Sequence, residues 1–162
     1  MKTLIFCMAL LLCKQSEPLL EWNQESQKWQ YVRIGELPNV NQDIIFTRTK
    51  EYIALFYRSA KDVTQSAEKE TMKIIVKGSF ILEKVMYEGY LRHTLVIDVR
   101  DNKFRVKFDN FRLETNSYER NLEKDGIGGK TKIMKQAAQR SEDFVVGLTK
   151  YIQENASKKD DF

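Results

Sequence analysis

Residues 91–113 read LRHTLVIDVRDNKFRVKFDNFRL, and the pairing within this stretch decides the fold. Successive side chains of a strand point to opposite faces. Leu91, His93, Leu95, Ile97 and Val99 share one face, and Arg92, Thr94, Val96, Asp98 and Arg100 the other. Asp101-Asn102 follows, and both residue types tolerate the positive φ of a two-residue hairpin turn. Such a turn sets Arg100 opposite Lys103 and fixes every later pair. Val99 then faces Phe104, Ile97 faces Val106 and Leu95 faces Phe108, three large apolar pairs on one face. On the other face Asp98 meets Arg105, an ion pair, and Val96 meets Lys107. Both faces agree on one register. Phe111 and Leu113 break the alternation, which predicts a bulge near Asp109-Asn110.

Upstream of the hairpin the period is also two. Met72, Ile74 and Val76 alternate with Lys73 and Lys77. Gly78-Ser79 predicts a bend, a further strand over 80–87 and a turn at Glu88-Gly89. Before these, residues 47–65 predict a helix, because Tyr52, Ile53, Phe56, Ala60 and Val63 recur at three- and four-residue steps. Residues 29–34, WQYVRI, read as a short strand, and 35–43, with Gly, Pro and two Asn, as a loop. After the hairpin, 114–130 reads as a long polar surface loop. A last helix opens at Thr131, with Ile133, Ala137, Phe144, Leu148 and Ile152 along one side. Residues 156–162 read as a frayed tail.

The order is thus β-α-β-β-β-β-α. Two amphipathic helices have one sheet face to cover, so the fold class is α+β: a two-layer domain over 29–155 with an antiparallel sheet, helices on one face and the other face open.

The chain starts MKTLIFCMALLLC. Lys2 and the apolar run Leu4–Leu12 have the form of a secretory signal, and the run is too short to span a bilayer. Leu-Leu-Leu-Cys13 has the form of a bacterial lipobox, although Leu12 stands where a small residue is usual. Lipidation of Cys13 would anchor the protein to the cell envelope through acyl chains alone. Residues 14–28 read as a polar tether. Both cysteines lie in the leader, so the body holds no disulfide, thiolate ligand or cysteine nucleophile. With one histidine besides, a zinc site of the usual Cys/His kind fails on ligand count.

Together these elements resemble a bacterial family of unknown function whose domain has a TATA-binding-protein-like (TBP-like) fold. The likeness covers about 29–113 and rests on IIFTRTKEYIALFYRSAKDV, VKGSF and LVIDVRDNKFRVKFDNF. It implies a small exported protein, and it implies no catalytic residues. Exported proteins rarely meet nucleic acid, and fold analogy alone does not assign DNA binding.

Three features could carry chemistry. His93 could transfer protons near neutral pH, but it falls opposite Asn110 at the end of the apolar face, and no nucleophile or orienting partner can be named. It reads as a hydrogen-bonded structural residue. Arg92, Arg100, Lys103, Arg105 and Lys107 share the polar face of the hairpin, relieved only by Asp98 there, and could hold an anion. The third is GIGGKT at 126–131. A P-loop needs glycine six residues before its lysine; Lys124 stands there instead, and NSYERNLEKD before it is no buried strand. This is a glycine turn into a helix. The expected function is that of a non-enzymatic exported domain, without cofactor or metal, that binds an envelope protein. The alternative is an anion- or nucleic-acid-binding module using the basic face.

Overall fold

The computed structural model describes residues 17–57, 64–83 and 89–157. Nine elements follow in chain order: β1 (Glu21–Asn23), β2 (Lys28–Glu36), α1 (Gln42–Phe56), β3 (Thr64–Glu68), β4 (Lys73–Ile81), β5 (Gly89–Arg100), β6 (Lys103–Thr115), β7 (Glu119–Asn121) and α2 (Lys130–Asn155). The strands form one antiparallel seven-stranded sheet in the order β1-β2-β6-β5-β4-β3, with β7 also paired to β6. The fold is α+β, as the pattern of residues predicts.

The β5–β6 hairpin has the predicted register throughout, from Arg100 opposite Lys103 to Leu95 opposite Phe108. Its turn carries Asn102 at φ 65°, and the bulge falls at Asn110, at φ 54°, where Arg92 pairs with Arg112 but Thr94 with Asp109. The turn also reaches beyond the hairpin. Asn102 Oδ1 accepts from the Asn39 amide at 2.8 Å, and Asp101 Oδ1 from the Gln42 amide at 2.9 Å. An acidic side chain there satisfies an orphan N–H at the positive end of α1.

One face of the sheet carries the core. Ile74, Val76 and Phe80 of β4 are buried with Leu91, Leu95, Ile97 and Val99 of β5 and Phe104, Val106, Phe108, Phe111 and Leu113 of β6. Onto them pack Ile45, Phe46 and Ile53 of α1 and the predicted stripe of α2, in which Ile133, Ala137, Phe144, Leu148 and Ile152 are all buried. Arg48 of α1 joins the helices, donating to the Asn155 carbonyl at 3.2 Å and pairing with Glu51.

Several local expectations are corrected. Part of the stretch read as a tether joins the sheet: Glu21–Asn23 pairs with Lys28–Gln30, and Trp22 meets Trp29 edge-to-face at 5.2 Å, while residues 14–16 lie outside the described residues. β2 runs through Gly35 and Glu36, so the loop after it is shorter than expected. α1 starts five residues early, at Gln42, because Asn41 Oδ1 caps it by accepting from the Ile44 amide. It ends at Phe56; Ala60 and Val63 lie outside the described residues. Thr64 and Gln65, expected as helix, start the edge strand β3. β4 passes straight through Gly78-Ser79. That glycine is needed for close approach instead, since a Cβ there would lie 2.6 Å from the Tyr57 ring. Residues 84–88, expected as strand end and turn, lie outside the described residues, and Gly89 already belongs to β5. The loop 114–130 is no simple surface loop: β6 extends to Thr115, β7 adds a strand, and Leu122 and Ile127 are buried. α2 opens at Lys130 after Gly129, which is in the left-handed conformation and supplies no side-chain cap.

Candidate functional site

The face of the sheet opposite the helices is the candidate site. The period of each strand fixes what it displays. Across β2, β6, β5 and β4 one cross-strand row is Val32, Lys107, Val96 and Ile75, and the next is Ile34, Arg105, Asp98 and Lys73. Ile81 and Tyr90 are opposite each other near the far end. Ile34 is 61 %, Ile81 61 % and Tyr90 53 % exposed.

All five predicted cations are on this face, but they differ in surroundings. Arg105 grips Asp98 through Nε at 3.2 Å and Nη2 at 2.7 Å, and Lys73 approaches the same carboxylate at 3.7 Å. Arg92 binds Glu114 through Nε and Nη2, and this hydrogen bond holds the Glu114 carboxyl below its usual range. Lys107 pairs with Asp109 at 2.9 Å. The face therefore carries Asp109 and Glu114 as well as Asp98. Arg100 and Lys103, beside the turn, have no ion-pair partner among the described residues. The five do not converge on one point: two flank the turn, two sit in ion pairs at mid-sheet, and Arg92 lies beyond the bulge. Glu114 escapes the hairpin register because it lies beyond the bulge, whereas Asp109 keeps that register opposite Thr94 and meets Lys107 along its own strand.

At the bulge itself the polar groups satisfy one another. Asn110 accepts from Lys28 Nζ at 2.6 Å and donates to Thr94 Oγ1 at 3.2 Å.

His93 is on the other face, in the core, and is 3 % exposed. Its ring stacks on Phe80 at 4.0 Å. The Leu91 carbonyl, 3.3 Å from Nδ1, can only accept, so Nδ1 carries the proton and Nε2 accepts from the Tyr57 hydroxyl at 2.7 Å. Burial lowers its pKa to about 3, against a small opposing effect of the Leu91 hydrogen bond. Burial also raises the Tyr57 hydroxyl above its ordinary value. The pair is neutral at physiological pH and sealed from solvent. Cys13 lies outside the described residues. Among the described residues no group of three or more His, Cys, Asp or Glu could hold a metal, and no helix is long and apolar enough to cross a membrane.

An antiparallel sheet with two helices on one face and the other face open defines a TBP-like domain. The model of the family described as "Domain of unknown function (DUF4468) with TBP-like fold" matches residues 31–114, and the chain belongs to that family. Two solved structures show the same fold. One is a TBP-like protein from Parabacteroides distasonis, at 15% identity and TM-score 0.64, with 80% of this chain and 95% of that chain covered. The other is a DUF4468 family protein from Bacteroides ovatus, at 9% identity and TM-score 0.65, with 82% and 90% covered. No curated protein matches the chain.

Proposed function

We propose that this protein is a non-enzymatic module, exported to the cell envelope, whose open sheet face binds a partner protein. The observation that carries the reading is that face: two apolar pairs, Val32 with Ile34 on β2 and Val96 with Ile75 on β5 and β4, flank the ion-paired Lys107 and Arg105 of β6. Protein interfaces outside the obligate class combine apolar and polar surface in this way. The sealed, neutral His93–Tyr57 pair supports the non-enzymatic part, since the one histidine has no route to a substrate. The leader and its cysteine support export. The ion pairs of Arg92, Arg105 and Lys107 weigh against a general anion-binding face, because each cation already has an anion.

Fractionation of a Gram-negative host expressing the full chain tests this reading. The protein is expected in the envelope, and Cys13→Ser is expected to release it from the membrane into the periplasm. Recovery of uncleaved chain from the cytosol overturns export. A photo-crosslinker at position 96 is expected to trap one discrete partner, and Ile34→Arg to abolish the adduct. An adduct indifferent to that charge, or formed equally from a helix-face position such as 150, overturns the role of the open face.

A further inference from the structure

The sheet has two edges, and one of them is unguarded. β1 covers β2 only at Lys28–Gln30, because the chain before it turns away: Leu20 is buried, and Glu17 pairs with Lys135 of α2 at 2.8 Å. Beyond Gln30 the outer side of β2 has no neighbouring strand among the described residues. Hydrogen bonding alternates along an antiparallel strand. The Leu37 amide donates to the Asn102 carbonyl at 2.7 Å. Tyr31, Arg33 and Gly35 therefore also bond toward β6, and the amides and carbonyls of Val32, Ile34 and Glu36 point outward. These outward groups have no partner among the described residues. Natural sheets blunt such an edge with lysine, proline or a bulge, and Val32–Glu36 contains none of them. Arg33, its one cation, lies over the Tyr31 ring and 3.5 Å from Glu142 of α2. Val146 follows Glu142 by one turn, on the same side of that helix. Ile34 and Val146 are exposed, as is Leu19 beside β1. The opposite edge, β3, reads TQSAE and offers no large apolar residue.

We propose that the free edge of β2 pairs with the same edge of a second copy of this chain, antiparallel about a two-fold axis at Ile34. An axis normal to the sheet keeps the two faces in common, so residues of one face meet residues of the same face. Ile34 then lies opposite its own copy, an apolar pair, and Val32 lies opposite Glu36. These are the residues whose backbone groups point outward, so each free amide meets a free carbonyl. On the helix side Arg33 falls opposite Gly35, which has no side chain to obstruct it. The paired stretch, Val32–Glu36 in each copy, ends short of β1. The two open faces join into one surface, yet the pairing stands apart from the reading of that face, since no third protein takes part in it.

Disulfide trapping in the full chain, with Cys7→Ser and Cys13→Ser, provides the test. An oxidant added to permeabilised cells makes the result independent of export. Residues opposite each other in a hydrogen-bonded antiparallel pair are about 5.5 Å apart at Cα, within the span of a disulfide. Ile34→Cys is therefore expected to give a band of doubled mass on a non-reducing gel. Val32→Cys and Glu36→Cys would each stand about 14 Å from their own copy, four residues along the strand. Neither is expected to give that band alone, and the two substitutions in one chain are expected to give it. All three side chains lie outside the core, so the fold tolerates the changes. Equal dimer from the three single variants would mark chance collision, and an adduct of another mass would mark a different occupant. Either result overturns the proposal, as does the absence of dimer from Ile34→Cys.

Discussion

Replacing Gly35 by alanine is expected to destabilise the domain, although alanine is the better residue for an ordinary strand. Gly35 pairs with Phe104 across β2 and β6. A Cβ on Gly35 would lie 2.2, 2.5 and 2.8 Å from three atoms of that ring. Carbon atoms settle at about 3.5–4.0 Å, so the ring must retreat by about 1 Å. It has nowhere open to go, since Phe104 is 1 % exposed. Overpacking of this kind costs about 1–3 kcal/mol. The lost freedom of glycine in the unfolded chain returns about 0.4–1 kcal/mol. The expected net loss is therefore about 1–2 kcal/mol, or a melting temperature lower by roughly 3–6 °C for a domain of this size. Denaturant unfolding of Gly35→Ala, Phe104→Leu and the double variant closes a cycle. Phe104→Leu alone leaves a void, and the new methyl would fill part of it. The double variant is thus expected to be no less stable than Phe104→Leu, a coupling of at least about 1 kcal/mol. Equal stability of Gly35→Ala and the parent, or simple additivity of the two losses, would refute the reasoning.

Two further expectations concern the core histidine and the hairpin turn. Because His93 titrates near 3 when folded and near 6.5 when free, the unfolded chain binds the extra proton between those values. Stability from this residue is complete above pH 6.5 and falls as pH drops toward 3, by up to about 1.4 kcal/mol per pH unit. Denaturant midpoints across that range are expected to show a shallower fall in Tyr57→Phe/His93→Leu, which removes both hydrogen-bonding partners together. An identical slope in the variant would mean that His93 is not held neutral. Asp101→Ala removes the acceptor for the Gln42 amide and is expected to cost about 1 kcal/mol, read by urea unfolding. No change would mean that solvent serves the start of α1 equally well.

What was legible in the sequence, and what was not, follows from the range of the forces involved. The hairpin of β5 and β6 could be read to the residue because turn chemistry, apolar pairing and the Asp98–Arg105 pair all act across it. The buried stripe of α2 was legible for the same reason: one period persists over its whole length. β3 was not, because TQSAE has no apolar alternation and takes its strand geometry from β4 alone. β1 and β7 are three residues each and exist through what they pair with. Gly78 reads locally as a bend, and only Tyr57, twenty-one residues earlier, shows why glycine is there. The five cations were placed on the correct face, but their neutralisation was partly hidden. Arg92 and Glu114 are twenty-two positions apart and meet beyond a one-residue register shift.

The Asp101-Asn102 turn has a consequence for the route to the native state. A two-residue turn closes early, since its loop is as short as a loop can be. Here, though, its side chains hold backbone amides 63 and 59 positions away. The amides of Asn39 and Gln42 therefore find these acceptors only after β2 has joined β6 and drawn α1 to the hairpin tip. Opening of the turn therefore also leaves the start of α1 without its acceptor. Amide exchange at Asn39 and Gln42 would then follow a cooperative unit that includes β2, β6 and α1, and the tip of the hairpin, ordinarily the loosest part of such a structure, acts as the latch of the domain.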